Sequence, residues 1–327
     1  MLSEGALDIN PVPFEKAGFV VHKGVSLSRL GTFQLGGPLH SLVECQEPGS
    51  LRALRRICHQ QGIQALLIGE GSNLLFSDEG WPGMIVRYVT NTFHPISEGM
   101  GRWRVSAAVH LQKLVEWAVE EGWAGVEAFS GIPGTLGGAV VGNAGAWGVQ
   151  MEHVLTDVTG IDGQGNLKSF KTPECGFCYR DSTLKHEDFW VSEVILQLQK
   201  GCPEELKAER ARILELRAGK HPDWQTEPCI GSFFKNLEPT SAAERRQAAG
   251  YFLEQAGAKD KKIGGAAVYP GHANILIKKE QECKAADVAA LARELQTAVK
   301  EMHGIDLVRE VRYLGSIPGE QDGKGFY

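Results

Sequence analysis

The apolar residues of this chain recur at two spacings, one helical and one typical of strands. Leu51, Leu54 and Ile57 lie three residues apart and Gly62 follows them, so the pattern predicts a helix over 50–61. Residues 110–121 form a second predicted amphipathic helix, and further helices are predicted at a strongly charged stretch ending near Gly219, at 248–257 and at about 284–303. Short apolar or alternating runs predict strands at 65–68, 84–88, 103–109, 189–198 and 307–314, and a hairpin over 153–171 that turns at 162–166.

Predicted strands and helices alternate along the chain, which indicates an α/β or α+β protein. A chain of 327 residues is long enough for two domains. The stretch GCPEEL at 201–206 breaks the pattern, and we place the domain boundary there. The predicted division is a loose leader at 1–20, a first domain at 21–200, a second domain at 201–316 and a tail, expected to be disordered, at 317–327.

Net charge and composition exclude several kinds of partner. The formal charge is −6 and the pI about 6.0, so the chain lacks the basic field that binds nucleic acid or an acidic membrane surface. It contains no apolar run of about 18 residues and no signal-peptide pattern. Seven scattered cysteines fit a reducing compartment better than a disulfide framework. We therefore expect a cytoplasmic protein without nucleic-acid or membrane partners.

Glycine is concentrated in two clusters, Gly69-Glu-Gly-Ser-Asn73 and the segment 131–148. Glycine lets backbone approach a ligand closely, and successive N–H groups can surround a phosphate. Neither cluster has the Gly-Lys-Ser/Thr of a P-loop or the G-x-G-x-x-G of a Rossmann fold. One such cluster is compatible with tight turns packed against a sheet, but two in one domain favour a dinucleotide cradle.

The stretches LGTFQLGG, GEGSNLLFSDEGWPGMIV and GIPGTLGGAVVGNAGAWG occur in that order. With them the chain, from about Val21 to Leu314, resembles the UDP-N-acetylenolpyruvoylglucosamine reductase (MurB) family, although Gly31 stands where asparagine is customary. The resemblance implies an α+β protein, in which a two-part FAD-binding domain of the vanillyl-alcohol-oxidase/PCMH type precedes a smaller α+β substrate-binding domain. It also implies FAD contacts at Gly69, Glu70, Gly71, Ser72, Asn73, Leu74, Ser130, Gly131, Ile132, Pro133, Gly134, Gly138, Asn143, Ala144 and Gly145.

The stretch CGFCYRDSTLK at 175–185 allows two interpretations. Cys175 and Cys178 could form a redox dithiol or half of a zinc site, but no second ligand pair lies nearby and the stretch does not open a predicted helix. The resemblance instead points to Tyr-Arg-x-Ser-x-x-Lys, in which Arg180 is catalytic and Tyr179 contacts the substrate. An arginine can hold a carboxylate through two hydrogen bonds and keeps its charge.

Two later motifs complete the implied site. Ser232 in GSFFKN has the position of the family's proton donor, and Glu310 in REVRYLG that of its third catalytic residue. Leu237 stands where the family usually has proline. We expect no metal site. The resemblance further implies substrate contacts at Asn236 and, more loosely, at Lys220, Lys259 and His272.

The activity that the resemblance implies uses FAD and NADPH as cofactors. Hydride passes from NADPH through FAD to the enolpyruvyl group of UDP-N-acetylglucosamine enolpyruvate, giving UDP-N-acetylmuramate for peptidoglycan synthesis, and hence for cell-wall biogenesis, cell shape and division. Only about fifty residues separate Arg180 from Ser232, as in the shorter, second type of the family. We expect a monomer that binds a UDP-sugar. The alternatives are an FAD-dependent oxidase of the vanillyl-alcohol-oxidase type on another substrate, a flavin-binding regulatory protein and a thiol–disulfide enzyme.

Overall fold

The structure, a computed structural model, describes residues 9–239 and 246–320. Within these ranges the helices α1 to α7 span Val12–Lys16, Pro48–Gln60, Leu111–Glu120, Leu136–Val141, Pro203–Ala218, Ala249–Gln255 and Ala285–His303. The strands β1 to β19 span Val21–Ser26, Pro38–Cys45, Ala65–Ile68, Leu74–Phe76, Trp81–Tyr88, Ile96–Gly99, Arg102–Ser106, Trp123–Ala124, Gly145–Ala146, Val149–Gln150, Leu155–Asp162, Leu167–Lys171, Phe189–Gln197, Gln199–Lys200, Cys229–Ser232, Lys262–Ile263, Ala266–Val268, Ile275–Lys278 and Arg312–Leu314. Every predicted helix is confirmed, and for α2 and α3 the apolar spacing reported the buried face directly.

Two sheets of the first domain share one core. A mixed sheet has the order β1-β2-β5-β3, with β5 parallel to both β2 and β3. An antiparallel sheet has the order β12-β11-β13-β7-β6, and its β11–β12 pair is the predicted hairpin. The apolar faces of α2 and α3 complete the core with Leu51, Leu54, Leu111 and Leu114.

Residues 9–20 belong to this core and do not form a loose leader. Ile9, Phe14 and Phe19 are all buried in it, and α1 packs against α2. Burial of one large apolar side chain stabilises a fold by roughly 1.5–3 kcal/mol, so three in a short segment are enough to dock it. The rest of the predicted leader, residues 1–8, lies outside the described residues.

The second domain is a sheet covered by a long helix. The antiparallel order is β15-β18-β17-β16, and α7 packs on β16, β17 and α6. Its core contains Val288, Leu291 and Leu295 of α7. The charged helix α5, which the predicted boundary near 200 assigns to this domain, contacts α3 of the first domain, and its Leu206 lies in the first core.

The segment 307–314, predicted as one strand, joins the two domains by pairing with both. The Glu310 N–H donates to the Phe233 carbonyl at 2.9 Å, on the second-domain side. The Arg312 N–H then donates to the Asn73 carbonyl at 3.1 Å, where β19 begins to run parallel to β4. The chain therefore changes partners within three residues, which shortens the strand and places Glu310 at the domain junction.

Part of the predicted tail is ordered. Ile317 is buried in the second core, and Glu320 forms ion pairs with Arg293 and Arg309 at 2.8 and 2.7 Å. Residues 321–327 lie outside the described residues. Among the described helices, none has the length and apolar character needed to cross a membrane.

Candidate active site

A cavity of about 870 Å³ opens between the two domains. Its walls include both glycine clusters and the three residues predicted to be catalytic, Arg180, Ser232 and Glu310. This volume is at the upper end for small-molecule sites and suits an extended nucleotide ligand. The fold thus brings together groups from distant parts of the sequence.

The loop after β3 depends on glycine. Gly71 has a φ of +62°, and a Cβ there would lie 2.4 Å from the Leu30 carbonyl oxygen, so a side chain is excluded. Ser72 Oγ donates to the Pro133 carbonyl at 3.2 Å and so connects this loop to the second cluster. All six residues predicted here line the cavity: Gly69, Glu70, Gly71, Ser72, Asn73 and Leu74.

The second cluster presents bare backbone to the same cavity. Thr135 caps α4, its Oγ1 accepting the Gly138 N–H at 3.3 Å. Apart from the backbone of α4, a Cβ at Gly138 would contact only Thr135 Oγ1, 3.6 Å away. A side chain at this position would therefore extend into the cavity and take up space that a ligand needs. The residues present therefore fit FAD, whose flat ring and diphosphate need close backbone. The predicted contacts that line the cavity here are Ile132, Pro133, Gly134, Gly138, Ala144 and Gly145.

Three predicted cofactor contacts are not brought into the cavity lining. Ser130 Oγ and the Gly131 N–H each form a hydrogen bond within the protein, at 2.6 and 2.8 Å. Buried Asn143 donates to the Glu152 carboxylate and to the Cys178 carbonyl, both at 2.9 Å. These bonds hold the shape of the second cluster, and for these three residues a direct cofactor contact stays a prediction.

Arg180 and Glu310 form an ion pair in the cavity wall, with 3.1 Å between Nε and Oε1. Burial raises the pKa of Glu310, against the opposing effect of Arg180 and two lysines. Arg180 has a φ of +56°, a left-handed conformation uncommon for arginine. The Arg180 Nη2 donates to the Gly145 carbonyl at 2.6 Å, and the Lys185 Nζ donates to the Arg180 carbonyl at 3.1 Å. The arginine is therefore fixed at its backbone and at its guanidinium, as strained residues at functional sites often are.

Ser232 is the last residue of β15 and lines the cavity. Its hydroxyl makes no hydrogen bond with any described residue, so it is available to a ligand. The neighbouring Phe233 carbonyl accepts the Glu310 N–H. This backbone pairing holds Ser232 and Glu310 on adjacent segments.

Two guanidinium groups lie close to the Tyr179 ring, with Cζ of Arg246 and of Arg180 3.9 and 5.1 Å from its centroid. Its hydroxyl accepts the Asn236 N–H at 3.4 Å. Burial raises the pKa of Tyr179, so the phenol remains neutral near pH 7. Tyr179 and Asn236, both predicted substrate contacts, line the cavity together.

The looser predictions, Lys220, Lys259 and His272, do not line the cavity. His221 does line it, and its ring centroid is 5.7 Å from that of His272. Lys220 acts electrostatically on both histidines and Lys259 on His272. The structure thus groups these residues, and their contact with substrate stays a prediction.

Cys175 and Cys178 do not have the environment of a redox pair. Cys175 is buried in the first core, and burial raises the pKa of its thiol to about 11, whereas Cys178 is exposed. A reactive thiol requires the opposite shift. Cys178 and Asp181 exchange backbone hydrogen bonds at 3.0 and 3.2 Å, and this turn presents Tyr179 and Arg180.

Two departures from the family pattern fit their surroundings. A Cβ at Gly31 would lie 2.9 Å from the Phe76 ring and 3.2 Å from the Gly71 carbonyl, so this packing leaves no room for asparagine. The Leu237 N–H donates to the Gln247 carbonyl at 2.9 Å, a bond that proline could not make.

Sequence reasoning missed Arg217 and His221, which both line the cavity. Arg217 lies in the last turn of a strongly charged helix with no clear apolar face, and His221 follows that helix. Such a helix is ordinarily solvent-exposed. Because α5 ends at Ala218, helical spacing gave no signal that would place His221 beside Arg217.

Comparison with known proteins agrees with this geometry. Residues 40–171 match the family described as FAD binding domain. Residues 222–314 match the family described as UDP-N-acetylenolpyruvoylglucosamine reductase, C-terminal domain. The cavity between these two parts is lined by glycine and contains an arginine–glutamate pair and an available serine. Together with the two family matches, it defines an FAD-dependent oxidoreductase.

The chain belongs to the UDP-N-acetylenolpyruvoylglucosamine reductase (MurB) family, whose cofactors are FAD and NADPH. The reductase of Solibacter usitatus is 35% identical over 309 residues, covering 90% of this chain and 97% of that protein. That of Heliobacterium modesticaldum is 35% identical over 299 residues, covering 91% and 92%. The crystal structure of MurB from Thermus caldophilus is 28% identical, with a TM-score of 0.74 over 90% of this chain and 99% of that one.

Proposed function

We propose that this protein reduces the enolpyruvyl group of UDP-N-acetylglucosamine enolpyruvate to give UDP-N-acetylmuramate, with NADPH as the hydride source. The observation that carries the proposal is the shared cavity wall formed by Arg180, Glu310 and Ser232 beside the glycine loops. Membership of the family supports it. The activity would belong to peptidoglycan synthesis, and hence to cell-wall biogenesis, in the cytoplasm, with a monomer as the working unit.

Arg180 is proposed to bind the substrate carboxylate. When hydride adds to the terminal carbon of the double bond, negative charge grows on the neighbouring carbon and spreads into the carboxylate. A fixed guanidinium in a site with little water stabilises that charge strongly. Glu310 orients the guanidinium through Nε, and its raised pKa limits the negative charge that it places near the substrate.

Ser232 is proposed to give a proton to the carbon next to the carboxylate. Bound FAD supplies the hydride, so one hydride and one proton together saturate the double bond. A hydroxyl is a weak acid, but a carbanionic carbon is a strong base, and placement then matters more than pKa. The substrate's UDP-sugar portion would contact Tyr179 and Asn236.

An anaerobic two-stage experiment tests the proposal. The FAD-loaded protein is reduced with one equivalent of NADPH, UDP-N-acetylglucosamine enolpyruvate is added, and the flavin absorbance band is followed. Rapid return of the oxidised spectrum is expected. Flavin that stays reduced until air is admitted would instead indicate an oxidase of the vanillyl-alcohol-oxidase type.

Ser232→Ala separates the two stages. This variant should accept hydride from NADPH at the wild-type rate, while its reoxidation by substrate slows roughly 100-fold or more. A loss of flavin reduction instead would show that Ser232 has another role.

A further inference from the structure

We propose that Asn274 is a positioning residue that directs the hydroxyl of Ser232 into the cavity. The inference rests on the proposed function, which makes Ser232 the proton donor. Asn274 directly precedes β18, and only 2% of its surface is exposed. Its side chain is bonded to the backbone that follows Ser232.

The strand β15 does not by itself fix the direction of Ser232. Its pairing with β18 changes register between Cys229 and Ser232. Gly231, directly before the serine, has a φ of +74°, in the left-handed region. An irregularity of this kind re-aims the neighbouring side chain, so contacts outside the regular ladder must hold that side chain in its new direction.

The side chain of Asn274 continues the pairing beyond the end of β18. The Phe233 N–H donates to the backbone carbonyl of Asn274 at 2.8 Å. One residue further, the Phe234 N–H donates to Asn274 Oδ1 at 2.9 Å, and Asn274 Nδ2 donates to the Phe234 carbonyl at 2.8 Å. A side-chain amide offers both an acceptor and a donor, as a peptide group does, so it takes the place of a neighbouring strand. Three hydrogen bonds to one residue therefore hold the two residues after Ser232.

The same segment is also bonded to the chain that carries Glu310. The Phe233 carbonyl accepts the Glu310 N–H at 2.9 Å. Asn274 and the Glu310 backbone thus bind consecutive parts of one short segment. A shift of the segment at Phe234 would move Ser232 relative to Glu310, although both side chains would still line the cavity.

Asn274 is itself held by His272. The Asn274 N–H donates to His272 Nδ1 at 3.1 Å. Burial lowers the pKa of His272, so the ring stays neutral near pH 7 and Nδ1 can accept this bond. A Cβ at Gly250 of α6 would lie 3.1 Å from His272 Cε1 and 3.8 Å from Asn274 Cβ, so the helix packs closely on both residues. His272 can therefore act on the site through Asn274 without touching the substrate.

A purely structural role for Asn274 would be to satisfy the Phe234 N–H and carbonyl in the core of the second domain. That role predicts a loss of stability and no selective effect on the reaction. Positioning predicts that only the second stage suffers, because Ser232 gives its proton there. The carbon that receives this proton then carries four different groups, so a proton from one fixed hydroxyl gives a product of a single configuration.

The test compares Asn274→Ala and Asn274→Ser with Thr32→Val. Thr32 is the matched control because its Oγ1 donates to the Cys229 carbonyl at 2.7 Å, a buried hydrogen bond at the opposite end of β15. For Asn274→Ala, flavin reduction by NADPH should stay near the wild-type rate, while reoxidation by the enolpyruvyl substrate slows roughly 10- to 100-fold. NMR of the product should show two configurations at the new carbon centre. Asn274→Ser keeps one possible hydrogen bond and should be intermediate, and Thr32→Val should lose stability only.

Reoxidation of Asn274→Ala at the wild-type rate with a product of one configuration would overturn the proposal, as would equal slowing in Thr32→Val. If Asn274→Ala does not fold, Asn274→Ser takes its place in the same comparison. Backbone amide hydrogen exchange tests the pairing without turnover, and it should accelerate at 233–235 in the Asn274 variants but not in Thr32→Val. If the wild-type protein fails to reduce the enolpyruvyl substrate, the proposed function fails. Accelerated exchange would then still support Asn274 as the residue that holds this segment, and unchanged exchange would reject that as well.

Discussion

Lys185 offers the sharpest test of how Arg180 is positioned. Its Nζ donates to the Arg180 carbonyl at 3.1 Å and lies 3.9 Å from Asp181 Oδ1. Lys185→Met keeps most of the side-chain volume and removes the ammonium group. We expect Arg180 to leave its left-handed conformation more often, which slows reduction of the substrate and leaves bound FAD unchanged.

The magnitude follows from the two opposing energies. A left-handed backbone costs a residue other than glycine about 1–2 kcal/mol. A hydrogen bond from a charged donor contributes about 1.5–3 kcal/mol. Its loss is therefore large enough to make the observed conformation of Arg180 a minority state. Since about 1.4 kcal/mol is a tenfold change in rate, the second stage should slow roughly 10- to 150-fold.

Single-turnover reoxidation of the flavin by substrate, followed by stopped-flow absorbance, measures this step. The control is Lys235→Met, because Lys235 also acts on Glu310 electrostatically but forms no hydrogen bond with Arg180. A much smaller effect is expected there. A wild-type rate in Lys185→Met, or equal slowing in both variants, would refute the argument that Lys185 acts by holding Arg180.

Three further predictions concern other parts of the molecule. An acid whose pKa rises on folding favours the folded state at low pH and loses that contribution as pH rises through the folded pKa. Burial raises the pKa of Glu310, so Glu310→Gln should raise the unfolding temperature above that of the wild type by more at about pH 8 than at about pH 4. Equal differences in unfolding temperature at the two pH values would contradict this. Asn143→Ala should lower the free energy of unfolding, measured with denaturant, by about 2–4 kcal/mol, because it removes two buried hydrogen bonds. If the variant loses FAD but keeps its stability, Asn143 contacts the cofactor directly instead. Replacing Cys175 and Cys178 together by alanine should preserve turnover at a cost of about 1 kcal/mol, whereas loss of turnover at unchanged stability would support a dithiol role.

Local patterns predicted five of the seven described α-helices and several strands, though not β1 or β2, because such patterns report which face of an element is buried. The helix predicted over 50–61 is observed at Pro48–Gln60, and the predicted hairpin at Leu155–Lys171. Errors occurred where partners are distant in sequence. The segment 307–314 changes from a second-domain partner to β4, and residues 9–20 dock through three apolar side chains that show no regular period.

By itself, the sequence determined five of the described helices and several strands, the two glycine clusters and, through ordered motifs, the family and the candidate residues Arg180, Ser232 and Glu310. These depend on short-range properties, such as spacing, missing side chains and residue chemistry. Only the tertiary structure decided that these three residues share one cavity, that Glu310 pairs with Arg180, and that Arg217 of α5 lies against Gly131 and lines the same cavity. Such relations depend on distances and desolvation between segments that meet only after the two domains pack, and no local pattern records them.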